Sequence, residues 1–302
     1  MNANHPSDPS RRSILRLGAA AALAAPFAGM IAPALAADDQ AGAKDAADTA
    51  RSASSARSAE YGGLPMGIQS YTLRSLSFDK ALDTIANELK LKHVELFPGH
   101  HPGLTPPKVK EKLQARGLSA SAYGVVPFKK DIEANRPHFE VGRVLGIKSL
   151  SCDPDPDAFD SLDKLVEEYQ IAAAIHPHGP GHRWALIKTM QDAVKDHHKL
   201  IGLCNDTGHL IRAGQDPVEA CHAFHDRLYG VHFKDFKKLG NGKWEDCVLG
   251  DGQLDVDALT RTLLEMKFKG ALSLEYEGGD PVNASKKCLD RVNQAAKKVR
   301  TA

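Results

Sequence analysis

No Cys-x-x-Cys pair occurs in this sequence, and its five cysteines (152, 204, 221, 247 and 288) are odd in number. That excludes a zinc knuckle and argues against a disulfide framework; buried free thiols are the expectation. A long basic run is also missing. Lys and Arg total 39 against 38 Asp and Glu, a formal net charge of +1, so the electrostatic footprint of a nucleic-acid binder is absent. No Gly-x-Gly-x-x-Gly follows the first expected strand, which disfavours an open dinucleotide-binding sheet. The long Ala/Leu-rich run before Ala36 is broken by Pro26 and Pro33, so a stable membrane anchor is not expected.

That run belongs to a leader. Ser10-Arg-Arg-Ser-Ile-Leu-Arg16 precedes it and Ala34-Leu-Ala36 ends it. A basic segment, an apolar segment and an Ala-x-Ala site describe a cleaved export signal over 1–36. The Arg11–Arg12 pair selects the twin-arginine route, hence a periplasmic or secreted protein that is exported folded. Losing the leader would take the net charge from +1 to −1. Residues 37–62 are Ala, Ser, Asp and Arg without an apolar period and read as a disordered linker. The catalytic domain is expected over 63–302.

From Met66 onward, apolar runs alternate with helical stripes. The expected strands are Met66–Tyr71, His93–Phe97, Leu118–Val126, Ile147–Cys152, Ile171–His176, Ile201–Asp206, Leu228–Asp235 and Ala271–Glu277. Between them fall helices such as Phe78/Ala81/Leu82/Ile85 and Phe159/Leu162/Leu165/Val166, with a 3.6-residue period. One begins at His138, one covers Pro217–Asp226, and 236–252 reads as a long loop. Eight βα units of about 30 residues each make an α/β fold, a (β/α)8 TIM barrel.

In such a barrel the C-terminal strand ends share one rim. They carry Glu95, His176 with His178, Asp206 with His209, His232 with Lys234 and Asp235, and Glu275 with Glu277. A single His or Asp at a strand end is commonly a loop anchor. Four on four consecutive strands point to an N/O site suited to Mn²⁺, Zn²⁺, Co²⁺ or Fe²⁺.

Gly67-Ile-Gln-Ser-Tyr-Thr-Leu-Arg74, Val94-Glu-Leu-Phe97, Asp206-Thr-Gly-His209, Val231-His-Phe-Lys-Asp235 and Leu274-Glu-Tyr-Glu277 resemble the xylose-isomerase-like TIM-barrel superfamily. Within it the chain looks like the sugar phosphate isomerase/epimerase group. The resemblance implies a divalent metal, most often Mn²⁺, held by Asp206, His232 and Glu275, with His176 standing where relatives usually have Glu, and a substrate-facing His209. A working hypothesis for the site gives catalytic roles to Glu275, Glu95, His209 and Lys234, and substrate contacts to Tyr71, His178 and Glu277. A neutral His in place of Glu removes one of two opposed carboxylates, so one-sided proton chemistry is expected: isomerisation, β-elimination or hydration of a keto-sugar or sugar derivative. The alternatives are an endonuclease IV-like phosphodiesterase and an exported sugar-binding barrel without catalysis. The sequence leaves the sugar, the metal and the oligomeric state open.

Overall fold

Short Val/Ile/Leu/Ala runs buried on both faces need helices on either side of a parallel sheet, and that is how they pair here. The computed structural model describes residues 60–301; the expected leader and nearly all of the expected linker lie outside the described residues. The strands are β1 (Met66–Gln69), β2 (His93–Leu96), β3 (Ser119–Phe128), β4 (Ser149–Pro154), β5 (Ala172–Ile175), β6 (Ile201–Asp206), β7 (Leu228–Phe233), β8 (Asp235–Lys238), β9 (Trp244–Cys247) and β10 (Ala271–Leu274). Eight of them close into a parallel barrel in the order β1-β10-β7-β6-β5-β4-β3-β2, while β8 and β9 pair separately. The expected TIM barrel is present.

The helices are α1 (Phe78–Asp83), prolonged by a π turn at Thr84–Glu88, α2 (Pro106–Gln114), α3 (Ile132–Leu145), α4 (Phe159–Tyr169), α5 (Ile187–Val194), α6 (Thr207–Arg212), α7 (Pro217–Ala223), α8 (Val256–Glu265) and α9 (Pro281–Thr301). Each lays an apolar stripe on the barrel. In α4, Phe159, Leu162, Leu165 and Val166 are buried, each such side chain contributing about 1.5–3 kcal/mol relative to exposure. All five cysteines are free and buried, as expected. Among the described residues no helix is long and apolar enough to cross a membrane.

Two local expectations are corrected and one strand end gains a second role. Helix α3 starts at Ile132, not His138: Asp131 caps it by accepting from Glu133 N at 3.0 Å, and Pro137 lies inside the helix. Strand β6 ends at Asp206 as expected. Asp206 accepts from His209 N at 2.7 Å and so caps α6. The expected loop over 236–252 contains the β8–β9 hairpin, antiparallel from Asp235↔Cys247 to Lys238↔Trp244.

Asp235 fixes the chain beyond that hairpin. Its Oδ2 accepts from the N–H groups of Gly250 (2.9 Å) and Gly252 (3.1 Å), and Oδ1 from Gln253 (2.9 Å) and Leu254 (3.0 Å). Four backbone donors on one buried carboxylate make a clamp between β7 and α8. Asp235→Ala is expected to cost about 3 kcal/mol, the scale of leaving buried donors unmade. Urea unfolding measures it; a loss under about 1 kcal/mol contradicts the clamp.

Candidate metal centre

The barrel's register brings the polar strand ends together. Asp206 pairs with His232 across β6–β7, and Gln69 with Glu95 across β1–β2. His176 and Glu275 directly follow their strands and extend the ladders, His176 N donating to Cys152 O at 2.8 Å and Glu275 N to Phe233 O at 3.0 Å. One possible ligand atom from each of His176, Asp206, His232 and Glu275 lies within 4.8 Å of the others, and all four residues are buried.

The separations fit a common ion. His176 Nε2 is 3.1 Å from His232 Nδ1 and 3.3 Å from Asp206 Oδ2. His232 Nδ1 is 3.0 Å from Glu275 Oε2 and 3.7 Å from Asp206 Oδ2. Ligands at about 2.1 Å from an ion stand about 3.0 Å apart at right angles and about 3.4 Å apart at the tetrahedral angle. Asp206 Oδ2 is buried without a partner in hydrogen-bonding geometry, although Oδ1 is used by the helix cap. Two imidazoles and two carboxylates suit Mn²⁺, Zn²⁺, Co²⁺ or Fe²⁺.

Electrostatics support the ligand states of Glu275, Asp206 and His176. At His232 burial opposes charge, but Cys204, Glu95 and Asp206 outweigh it and raise the ring well above the ordinary imidazole value, so His232 gives up a proton from Nδ1 on taking an ion. Burial pushes the Glu275 carboxyl up, but Lys234 and His232 outweigh it and hold it at about 2. Asp206 is likewise held well below its usual range: burial opposes ionisation, while the surrounding imidazoles and Lys234 favour it. Burial holds His176 below the ordinary imidazole value, and His209 and His178 at about 4. These three rings are neutral at neutral pH.

Glu95 does not stand at the rim, where a substrate-orienting or second acid/base group was expected. Its carboxylate is inside the barrel, with Oε2 2.9 Å from His232 Nε2 and 2.8 Å from Ser273 Oγ, and Oε1 accepting from Ser151. Small residues at 151 and 273 leave the room for it. A carboxylate on the far nitrogen of a ligating histidine orients the ring and raises its basicity. Glu95→Gln is therefore expected to weaken Mn²⁺ binding 10–100-fold, read by calorimetric titration; unchanged affinity would remove Glu95 from this role.

Lys234 is also deeper than expected. Its side chain is 1% exposed, 3.7 Å from Glu275 Oε2 and in contact with Glu277 Oε1. It is therefore held against these two carboxylates and does not line the cavity. Gly208 lets it pass: a Cβ there would come within 2.9 Å of Lys234 Cγ and 2.8 Å of the Phe236 ring.

A cavity of about 380 Å³ opens over the four-residue group, lined by Gln69, Tyr71, Phe97, Gly124, Val125, His176, His178, His209, Glu275 and Glu277. Tyr71, His178, His209 and Glu277 are thus on the cavity wall. Gln69, Phe97 and Val125 were not foreseen; Phe97 and Val125 are apolar and carry no signal that separates them from the core, whereas Gln69 is a polar residue at the end of β1 that fell inside the longer strand expected over Met66–Tyr71. A larger cavity, about 470 Å³, lies at the other mouth beside His93, Ser149, Leu228 and Ala271, the residues that begin their strands. It is remote from this chemistry.

The family model described as xylose isomerase-like TIM barrel matches residues 133–298, more than half of the chain. This chain belongs to the xylose isomerase-like TIM-barrel family. An inosose dehydratase of Clostridium botulinum (strain Alaska E43 / Type E3) is 33% identical over 140 residues, 40% of this chain and 45% of that protein. The chain thus spans under half the length of the curated relatives it matches. A solved Parabacteroides distasonis protein shares 25% identity at a TM-score of 0.59, covering 76% of this chain and 98% of that one. The IOLI protein, solved with a binding zinc atom, aligns at TM-score 0.60 and 16% identity over 78% of this chain and 98% of its own, a likeness of fold.

Proposed function

We propose that this family member is a divalent-metal-dependent dehydratase of a cyclic polyhydroxy ketone, a keto-sugar-like substrate. The observation that carries the reading is the placing of the carboxylates. Among the cavity-lining residues only Glu275 and Glu277 are acidic, and both follow β10; the other lining residues are Gln69, Tyr71, Phe97, Gly124, Val125 and three histidines, none of them a carboxylate. Glu95, a further carboxylate inside the barrel, is under His232 and does not line the cavity. Proton chemistry from one side suits elimination and is short of the second, facing base that epimerisation by paired carboxylates uses. Inosose dehydratases among the relatives agree with this choice.

His176, Asp206, His232 and Glu275 would hold the ion, which when bound polarises the substrate's carbonyl or hydroxyl oxygen. Both close contacts of Glu275 fall on Oε2, which leaves Oε1 to take the proton from the carbon beside the carbonyl. The carbon–carbon double bond forms as the neighbouring C–O bond breaks. Glu275 returns its proton to the departing hydroxyl, which leaves as water. Neutral His209 and His178 hydrogen-bond substrate hydroxyls, and Lys234 keeps Glu275 and Glu277 ionised and oriented. Tyr71, with Arg74 stacked 4.2 Å above its ring, covers the apolar ring face.

The test supplies Mn²⁺-loaded protein with a keto-cyclitol and with keto-hexoses, and follows enone absorbance together with solvent deuterium exchange. Water loss from the cyclic ketone is expected. Epimerised product without water loss overturns the reading. We also propose export to the periplasm or beyond by the twin-arginine route, supported by Arg11–Arg12 and Ala34-Leu-Ala36; a fusion reporter dependent on that pathway tests it.

A further inference from the structure

A second group of ligand-type side chains stands beside the first. Asp153 lies near the end of β4, and His178 and His182 are in the loop after β5. One possible ligand atom from each lies within 4.8 Å of the others. Positive φ at Gly179 (+87°) and Gly181 (+82°) curls the loop back, so the two imidazoles meet with ring centroids 4.8 Å apart. The loop is pinned to β4: Trp184 Nε1 donates to Pro154 O at 2.9 Å, and Arg183 reaches Asp153 and Asp155.

We propose that Asp153, His178 and His182 form a second, weaker site for a zinc-like transition-metal ion at the mouth of the cavity. His182 Nε2 stands 3.4 Å from Asp153 Oδ2. That is long for a hydrogen bond and matches the spacing of about 3.4 Å between two ligands on one tetrahedral ion. His178 Nδ1 is buried with no hydrogen-bond partner. Arg183 donates Nε to Asp153 Oδ1 and Nη2 to Oδ2, both at 3.1 Å, the outer contact that orients a ligating carboxylate. Three protein ligands leave a position open for water or a substrate oxygen.

Two contacts make this site the weaker of the pair. Trp184 N–H points at His182 Nδ1 from 3.3 Å, so the ring proton is on Nε2 while the site is empty. Ion uptake moves that proton to Nδ1 and gives up the Trp184 contact. The Arg183 cation on the same carboxylate lowers affinity further. His176 and His178 have ring centroids 4.7 Å apart, so the two sites adjoin.

Equilibrium dialysis of the full chain against Zn²⁺ and Co²⁺ tests this independently of any substrate. The wild type is expected to bind two ions per chain in two steps. His182→Ala should keep the tight ion and lose the weak one, together with its share of the cobalt visible absorption. Asp206→Asn should do the reverse, so failure of the buried centre and failure of this one are distinguishable. His182→Gln, with its melting temperature checked, separates loss of a ligand from loss of the loop. A single ion in the wild type, or two unaltered steps in folded His182→Ala, would overturn the proposal.

Discussion

Asp206→Asn is expected to abolish tight metal binding while leaving the barrel folded. Asp206 has two separate duties on its two oxygens. Oδ1 caps α6 through His209 N, and Asn caps about as well as Asp. Oδ2 faces His176 and His232 without a hydrogen-bond partner. With His176 in the cage, Asp206 is one of only two carboxylates that offset a 2+ charge. The substitution removes half of that compensation and keeps shape and cap. Mn²⁺ affinity should fall at least about 10³-fold, roughly 4 kcal/mol, and turnover should fall with it. The melting temperature of the metal-free protein should move little. Elemental analysis with a thermal melt reads both.

Glu275→Gln is expected to act on the chemical step as well as on the ion. The amide keeps the size and leaves Lys234 its contact with Glu277, so collapse of the rim is not the cause of lost activity. Measured at saturating Mn²⁺, kcat should drop by about 10²–10⁴, the range associated with losing a positioned general base, with KM nearly unchanged. Recovery of wild-type kcat on adding metal would reduce Glu275 to a ligand and shift the proton transfer to Glu277.

The barrel was legible because its signal repeats: eight apolar runs, each followed by a helical stripe, leave little choice of architecture. The four cage residues were legible for a related reason. Each ends or immediately follows an apolar strand, and one rim collects all such positions. What a strand end does not disclose is depth. Glu95 and Lys234 occupy the same kind of position as His176 and Glu275, yet one is under His232 and the other behind two carboxylates. A register shift between Val94 and Glu95 in the β2–β3 pairing has no Gly or Pro to announce it.

The hairpin after β7 did have a signal. Asn241-Gly242 is a strong two-residue hairpin cue, and Gly242 has φ +78°. The polar residues around it hide the alternation of the two short strands. Asp235 had none, since its four backbone partners lie 15–19 residues downstream. The first turns of helix α3, Ile132-Glu-Ala-Asn-Arg-Pro137, are rich in polar residues and carry a proline, so only its C-terminal part shows an apolar stripe.

Metal binding, proton transfer and the role of Glu95 all depend on an ion at the point shared by His176, Asp206, His232 and Glu275. Crystals grown with Mn²⁺ and measured for anomalous scattering test this most directly. A strong anomalous peak is expected about 2.1–2.3 Å from His176 Nε2, His232 Nδ1, Asp206 Oδ2 and a Glu275 oxygen. A fully occupied peak elsewhere in the barrel, or none at saturating Mn²⁺, would contradict it.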